Sequence, residues 1–142
     1  MKDTNPFALI IDDQEALCRT IAIVLATIGV ESASYQTADS AIASLDQRRP
    51  DIIFLDMALE QSDAIDVMKA LSAKQYAGIV QLMSGGKPLL LEAVRRIGTR
   101  AGLLVRPPLQ KPFRAEAVRE VIVSSGLSPV DVKPKRADAN SA

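Results

Sequence analysis

The chain of 142 residues contains no histidine. That absence excludes Ser/His and Cys/His nucleophile pairs, an imidazole general base and any His-ligated zinc, so carboxylates and lysines must carry whatever chemistry occurs. There is one cysteine, Cys18, which rules out an intrachain disulfide. It lies beside Leu17 and Ile21 in a helical pattern, reads as a small core filler, and is assigned no role. Excess charge is also missing: Lys plus Arg and Asp plus Glu both number 17, so no net basic field exists to hold phosphate backbones, and non-specific nucleic-acid binding is not expected. Apolar runs long enough to span a bilayer are absent too, and "MKDTNPF" has no apolar signal core; the expectation is a cytoplasmic protein without membrane contact.

What is present is ordinary for one globular domain, with 48% hydrophobic and 24% charged residues. Short apolar runs alternate with stretches of helical spacing, the mark of repeated βα units and a parallel sheet. The runs 7–11 (FALII), 31–35 (ESASY), 51–55 (DIIFL), 78–83 (GIVQLM) and 103–109 (LLVRPPL) predict five strands. Pro107 and Pro108 cannot donate to a ladder, which places the fifth strand at a sheet edge.

Between the strands, Leu17, Ile21, Val24, Leu25 and Ile28 line a helix stopped by Gly29. Thr37 caps a helix carrying Ala38, Ile42 and Leu45, and Ser62 caps one carrying Ile65, Met68 and Leu71. Pro88 opens a fourth helix that is expected to end near Gly98, and Ala117, Val118, Val121 and Ile122 form a fifth, ended by Gly126. The segment 128–142 (SPVDVKPKRADANSA) has no apolar period and is expected to be either a disordered tail or a linker to another domain, with the folded domain over 1–127.

Right-handed crossovers favour the strand order 2-1-3-4-5 for such a chain, a flavodoxin-like doubly wound α/β sandwich with a ligand crevice at the carboxyl ends of strands 1 and 3. Two apolar runs end in acid there: "LIIDD" in Asp12 and Asp13, "IIFLD" in Asp56. Singly, an Asp after a strand often caps the next helix. Together with Ser84 after the fourth run and Lys111 and Pro112 after the fifth, they form one constellation at one rim. Three clustered carboxylates raise one another's pKa unless a cation joins them, and Mg²⁺ suits oxygen ligands that leave room for water and phosphate. The expected direct ligands are Asp13, Asp56 and the backbone carbonyl of Ala58, with Asp12 acting through a coordinated water. An ionised Asp56 can then attack phosphorus, Lys111 can neutralise the transferring group and the Ser84 hydroxyl can donate to it.

At "IIDDQEALCR", "IIFLDMAL", "QLMSG" and "LQKPF" the chain resembles a response-regulator receiver domain of two-component signalling, over residues 7 to about 126 and of stand-alone type. The resemblance implies that Asp56 is the phosphoacceptor, Asp12 and Asp13 the acidic pair, Ser84 the switch hydroxyl and Lys111 the conserved-type lysine, with Lys111–Pro112 cis. It implies a sensor histidine kinase or histidine phosphotransfer protein as donor and an output by protein contact. Two departures stand out. The segment after the acceptor reads "MALEQSDAID", without the family's Pro and Asp-Gly pair. Pro108 occupies the position of the aromatic switch residue, and "GLLVRPPLQKPF" resembles a subset of receivers with an elaborated fifth strand. Slow self-dephosphorylation is expected, because Ala58 and Gly86 cannot orient an attacking water.

Three consecutive leucines, Leu89 to Leu91, exceed one buried stripe, so an apolar patch on the fourth helix and fifth strand is a candidate homodimer or partner face, unless the segment before strand 5 covers it. Arg95, Arg96, Arg100 and Arg106 read either as a basic patch or as a solvated helix face. Two other functions remain open. A phosphorylation-independent adaptor would use the fold alone. A haloacid-dehalogenase-type phosphohydrolase would need a second Asp two residues after its nucleophile, where this chain has Ala58.

Overall fold

The structure, a computed structural model, describes residues 5–58, 64–85 and 88–127. The Ser62 cap, the Gly86 position, the side chains of Leu89 to Leu91 and the 128–142 segment lie outside the described residues.

The five strands are β1 (Phe7–Ile11), β2 (Glu31–Tyr35), β3 (Ile52–Asp56), β4 (Ile79–Ser84) and β5 (Leu104–Gln110). They alternate with α1 (Glu15–Thr27), α2 (Ala38–Ser44), α3 (Ala64–Ala73), α4 (Pro88–Arg100) and α5 (Ala115–Ser124). All strand pairs are parallel, in the order β2-β1-β3-β4-β5, which is the expected flavodoxin-like arrangement with β5 at an edge. The last three strands begin and end one residue later than the apolar runs, so Asp56 and Ser84 are the final strand residues rather than the first loop residues. The Asp51 carboxylate explains part of this shift: it accepts the Phe7 N–H at 2.9 Å, so Asp51 serves as a lateral anchor before β3 starts.

Two apolar clusters sandwich the sheet. On one side Leu9, Ile11, Ile53, Leu55, Val80 and Leu82 pack against α2, α3 and α4; on the other Ala8, Ile10, Ile52, Phe54 and Met83 pack against α1 and α5. Alternation along each strand sends successive side chains to opposite clusters. This is why β1 and β3, buried on both faces, read as unbroken apolar runs.

The helix punctuation follows the sequence closely. Thr37 Oγ1 accepts the Ser40 N–H at 3.3 Å, and Gly29 (φ 80°) and Gly126 (φ 74°) take the left-handed conformation that ends α1 and α5. The fourth helix differs. It runs past Gly98 to Arg100, and Gly102 (φ 91°) makes the stop. Gly98 is there for packing: a Cβ would overlap Met68 Sδ and come within 2.7 Å of Val105 Cγ2, so its lack of a side chain lets α4 approach β5 and α3.

The four arginines do not form one free basic patch. Arg95 donates to the Val105 carbonyl at 3.4 Å and Arg106 to Gln81 and Ser125, whereas Arg96 and Arg100 are exposed on α4. The solvated helix face is the better description of the latter two.

Candidate functional site

The carboxyl ends of β1 and β3 are neighbours because β1 pairs directly with β3, Ile11 opposite Leu55. The residue after each pairing is acidic. Asp12 is fully buried and Asp56 is 3% exposed, while Asp13 is half-buried at the rim. One oxygen from each of Asp12, Asp13 and Asp56 falls within 4.8 Å of the others. The sequence-predicted acidic residues therefore meet, and Lys111 joins them: Nζ donates to Asp12 Oδ2 at 2.9 Å and to Asp56 Oδ1 at 3.3 Å.

Several local bonds fix these groups. Asp12 Oδ1 accepts the Gln14 N–H at 2.8 Å, a turn that leads the chain into α1; Gln14 itself occupies the N-cap without a side-chain cap bond. Neither Asp12 nor Asp13 caps α1. Asp12 is also held through its backbone, its N–H donating to the Tyr35 carbonyl at 3.1 Å and its carbonyl accepting from Cys18 Sγ at 3.3 Å. Cys18 is thus a buried filler that also pins the acidic loop, and burial pushes its thiol pKa up.

On β3, Asp56 Oδ1 accepts the Ala58 N–H at 3.1 Å. The Met57 N–H reaches across to the Met83 carbonyl at 2.9 Å, and the Lys111 N–H to the Ser84 carbonyl at 2.7 Å, so the ends of β3, β4 and β5 are laced together. Ser84 is 5% exposed and immediately follows Met83, the residue paired with Asp56. Lys111–Pro112 is cis, as the resemblance implied. Beside Gly85 a Cβ would meet only Lys111 Cβ, at 3.8 Å, an ordinary contact that leaves the rim open.

Charge is unbalanced here. Among the described residues three carboxylates, two of them buried, face one ammonium, an excess of negative charge at this rim. Burial raises the Asp56 pKa, the Ala58 N–H works against that, the Asp12 charge adds to it and Lys111 offsets it in part; the net direction is upward. For Lys111, burial acts to lower the pKa, but its bonds to Asp12 and Asp56 outweigh it and the net direction is also upward. A divalent ion with a preference for oxygen would cancel the excess charge, and the carboxylate spacing fits one hard cation bound together with waters. Both oxygens of Asp12 are already engaged, which suits an indirect, water-mediated part for it.

The family model of the response regulator receiver domain matches residues 8–123. The chain belongs to this family. Among curated relatives, the photosynthetic apparatus regulatory protein RegA of Rhodovulum sulfidophilum is 28% identical over 137 residues, spanning 94% of this chain and 72% of that protein. MtrA of Mycolicibacterium smegmatis, named a DNA-binding response regulator, is 32% identical over 74 residues, which is 52% of this chain and 32% of that protein. This receiver chain matches only about a third of the length of the MtrA relatives. Among solved structures, a response regulator receiver protein from Burkholderia phymatum is 26% identical with a TM-score of 0.69, covering 89% of this chain and 100% of that one. The receiver domain of a LuxO repressor protein from Vibrio parahaemolyticus has a TM-score of 0.73 at 18% identity, covering 85% of this chain and 89% of that one, and shows the shared fold.

One residue of this receiver escaped the sequence reading although its signal was visible. Gln81 interrupts the apolar run "IVQLM", and it is 1% exposed. A polar side chain in the middle of a buried strand requires partners, and two of the three lie on β5.

The raised Asp56 pKa carries a sign that can be measured. An Asp whose folded pKa exceeds its unfolded one binds its proton more tightly when folded, so its ionised form opposes folding in full above the folded pKa, and the penalty fades as pH falls toward the unfolded value. Asp56→Asn is therefore expected to raise the urea midpoint at pH 7 in the absence of divalent ions, by more than it does at pH 4. A variant no more stable than wild type at pH 7 would contradict the assignment of burial as the dominant cause.

Proposed function

We propose that this receiver accepts a phosphoryl group on Asp56 from a phosphohistidine of a sensor kinase or phosphotransfer protein, with Mg²⁺ as cofactor, and signals by a change in protein contact. The observation that carries the reading is Lys111 Nζ bridging Asp12 and Asp56 over a rim where three carboxylates converge. The chain has no histidine, so the donor group must come from a partner.

Asp56 Oδ1 is tied by Ala58 and Lys111, and Oδ2 is the atom assigned to attack. A carboxylate oxygen forms the bond to phosphorus, the P–N bond to the partner's imidazole breaks, and the leaving nitrogen keeps the electron pair; the product is an acyl phosphate. Lys111 stays within reach of the acceptor and offsets charge on the phosphoryl oxygens, while the Ser84 hydroxyl is assigned to donate to one of them. Asp13, Asp56 and the Ala58 carbonyl would hold Mg²⁺, which when bound supplies charge neutralisation for the phosphoryl group. Ala58 stands where a phosphohydrolase of similar geometry would need its general acid, so single phosphorylation with slow loss is proposed rather than repeated turnover.

Among the described residues no helix is long and apolar enough to cross a membrane, in keeping with the proposed cytoplasmic setting. Direct contact with nucleic acid is not part of the proposed output, given the balanced charge.

The test is incubation with acetyl phosphate and magnesium chloride, followed by intact mass. A gain of one phosphoryl group that is absent in Asp56→Ala is expected. An unmodified wild-type protein would favour the adaptor reading, to which Pro108 in the aromatic switch position already lends weight.

A further inference from the structure

Among the described residues, four polar or charged side chains are buried: Asp12, Asp56, Ser84 and Gln81. The first three belong to the site. Gln81 does not, and two of its three amide bonds reach β5. Nε2 donates to the Pro107 carbonyl at 2.9 Å and to the Leu82 carbonyl at 3.0 Å, and Oε1 accepts from Arg106 Nε at 3.0 Å. Arg106 continues to Ser125 Oγ, after α5, at 3.2 Å. Arginine only donates and carbonyls only accept, so the amide has one workable orientation.

These bonds surround a break in strand register. Val80 pairs with Val105 and Gln81 with Arg106, but Met83 pairs with Leu109 and Ser84 with Gln110. Two steps on β4 oppose three on β5, so one extra residue is absorbed at Pro107–Pro108, a bulge of a kind uncommon between parallel strands. Neither proline has an N–H to give, and Gln81 supplies the missing link to that stretch.

The extra residue inverts the alternation. Val105 packs with the α2, α3 and α4 side of the sheet; four residues on, strict alternation would send Leu109 to the same side, yet Leu109 packs with Met83 against α1 and α5. Lys111 follows two residues later. In an unbulged pairing with the same sequence it would lie one residue, roughly 3.3 Å, further along and present the opposite face. Its contacts at 2.9 and 3.3 Å to Asp12 and Asp56 would not survive that shift.

We propose that Gln81, together with Arg106, is a positioning residue that holds β5 in the register from which Lys111 reaches the acceptor. The functional part of this proposal rests on the phosphoacceptor reading above; the register part does not.

The experiment compares wild type, Gln81→Leu, a shortened strand (Pro107→Val with Pro108 deleted) and Gln81→Leu in the shortened strand. The shortened strand needs no bulge to bring Leu109 opposite Met83. Two quantities are read: hydrogen exchange of the Lys111 amide, which reports its bond to Ser84, and the initial rate of phosphoryl uptake from acetyl phosphate with magnesium chloride. Gln81→Leu is expected to speed exchange of the Lys111 amide and to slow uptake, each on the order of tenfold or more, the latter being well within the scale of a catalytic misplacement of about 1 Å. In the shortened strand the same substitution should leave both within about twofold of wild type, a rescue that a general packing role would not produce. An equal effect in both backgrounds, or no effect in the full-length strand, overturns the proposal. If Gln81→Leu does not fold, Arg106→Met carries the test in the same two backgrounds with the same expected pattern. Exchange needs no phosphate, so a wild type that takes up no phosphoryl group while exchange behaves as expected refutes the acceptor reading and leaves the register role standing.

Discussion

Lys111→Ala is expected to destabilise the protein by about 3–5 kcal/mol at pH 7 without divalent ions, the usual scale for removing one partner of a buried charge pair. The reason is the burial of what remains: Asp12 and Asp56 have side-chain exposures of 0% and 5%, and Lys111 is the cation bonded to both. The Coulomb attraction of the pair matters less than the two desolvated carboxylates left facing each other. The deficit should shrink as pH falls, because Asp56 takes up its proton early on account of its raised pKa. It should shrink again when magnesium chloride is added, if the acidic corner holds the ion as proposed. On the alkaline side the wild type loses what the variant lacks: the folded Lys111 pKa is raised, so its contribution is complete below the ordinary lysine range and disappears as pH climbs through the folded value. Urea titrations from pH 4 to pH 11, with and without magnesium, measure all three dependences. A variant as stable as wild type at pH 7 would mean that the bridging geometry contributes nothing.

Phe54→Ala is expected to cost about 3–5 kcal/mol, the range for deleting a large aromatic from a core that cannot collapse around the void. Phe54 is fully buried at the centre of β3, paired with Ile10 on one side and Gln81 on the other, and it packs in the cluster that joins α1 and α5 to the sheet. Two parallel neighbours hold the backbone on both edges, so relaxation is limited. Phe54 shares its face with Asp56 two residues later, and a void beneath that strand end would loosen the proposed acceptor as well. Phosphoryl uptake should therefore fall along with stability, whereas Phe54→Leu, which keeps most of the volume, should restore much of both. Differential scanning calorimetry and the uptake assay separate the effects. A loss below about 1 kcal/mol would show that the cluster repacks around the gap.

Much of the fold was legible because two periods and their punctuation agree along the chain. "FALII" and "IIFLD" are apolar without a break, which is what a strand covered on both faces requires, and Gly29, Thr37 and Gly126 sit where helices change direction. Gly98 misled for an informative reason. A glycine near the end of a helical pattern resembles a stop, but this one is selected by the closeness of Met68 and Val105, residues distant in sequence. Leu104 tells a similar story: the run "LLV" suggests burial throughout, yet its first strand residue is 60% exposed because β5 is an edge strand.

The residues of the candidate site could be named from the sequence because chemistry restricts them: acids at two strand ends, a hydroxyl and a lysine at two others. By itself the sequence determined the strand count, their order and this list of groups, since periodicity and crossover handedness are local or chiral constraints that a linear pattern records. Only the tertiary structure decided how the groups engage. That Lys111 is shared between Asp12 and Asp56, and that an extra residue at Pro107–Pro108 turns it toward them under the hold of Gln81, depends on register between strands. Register is set by contacts across the sheet, and one residue of slip reverses every side chain beyond it.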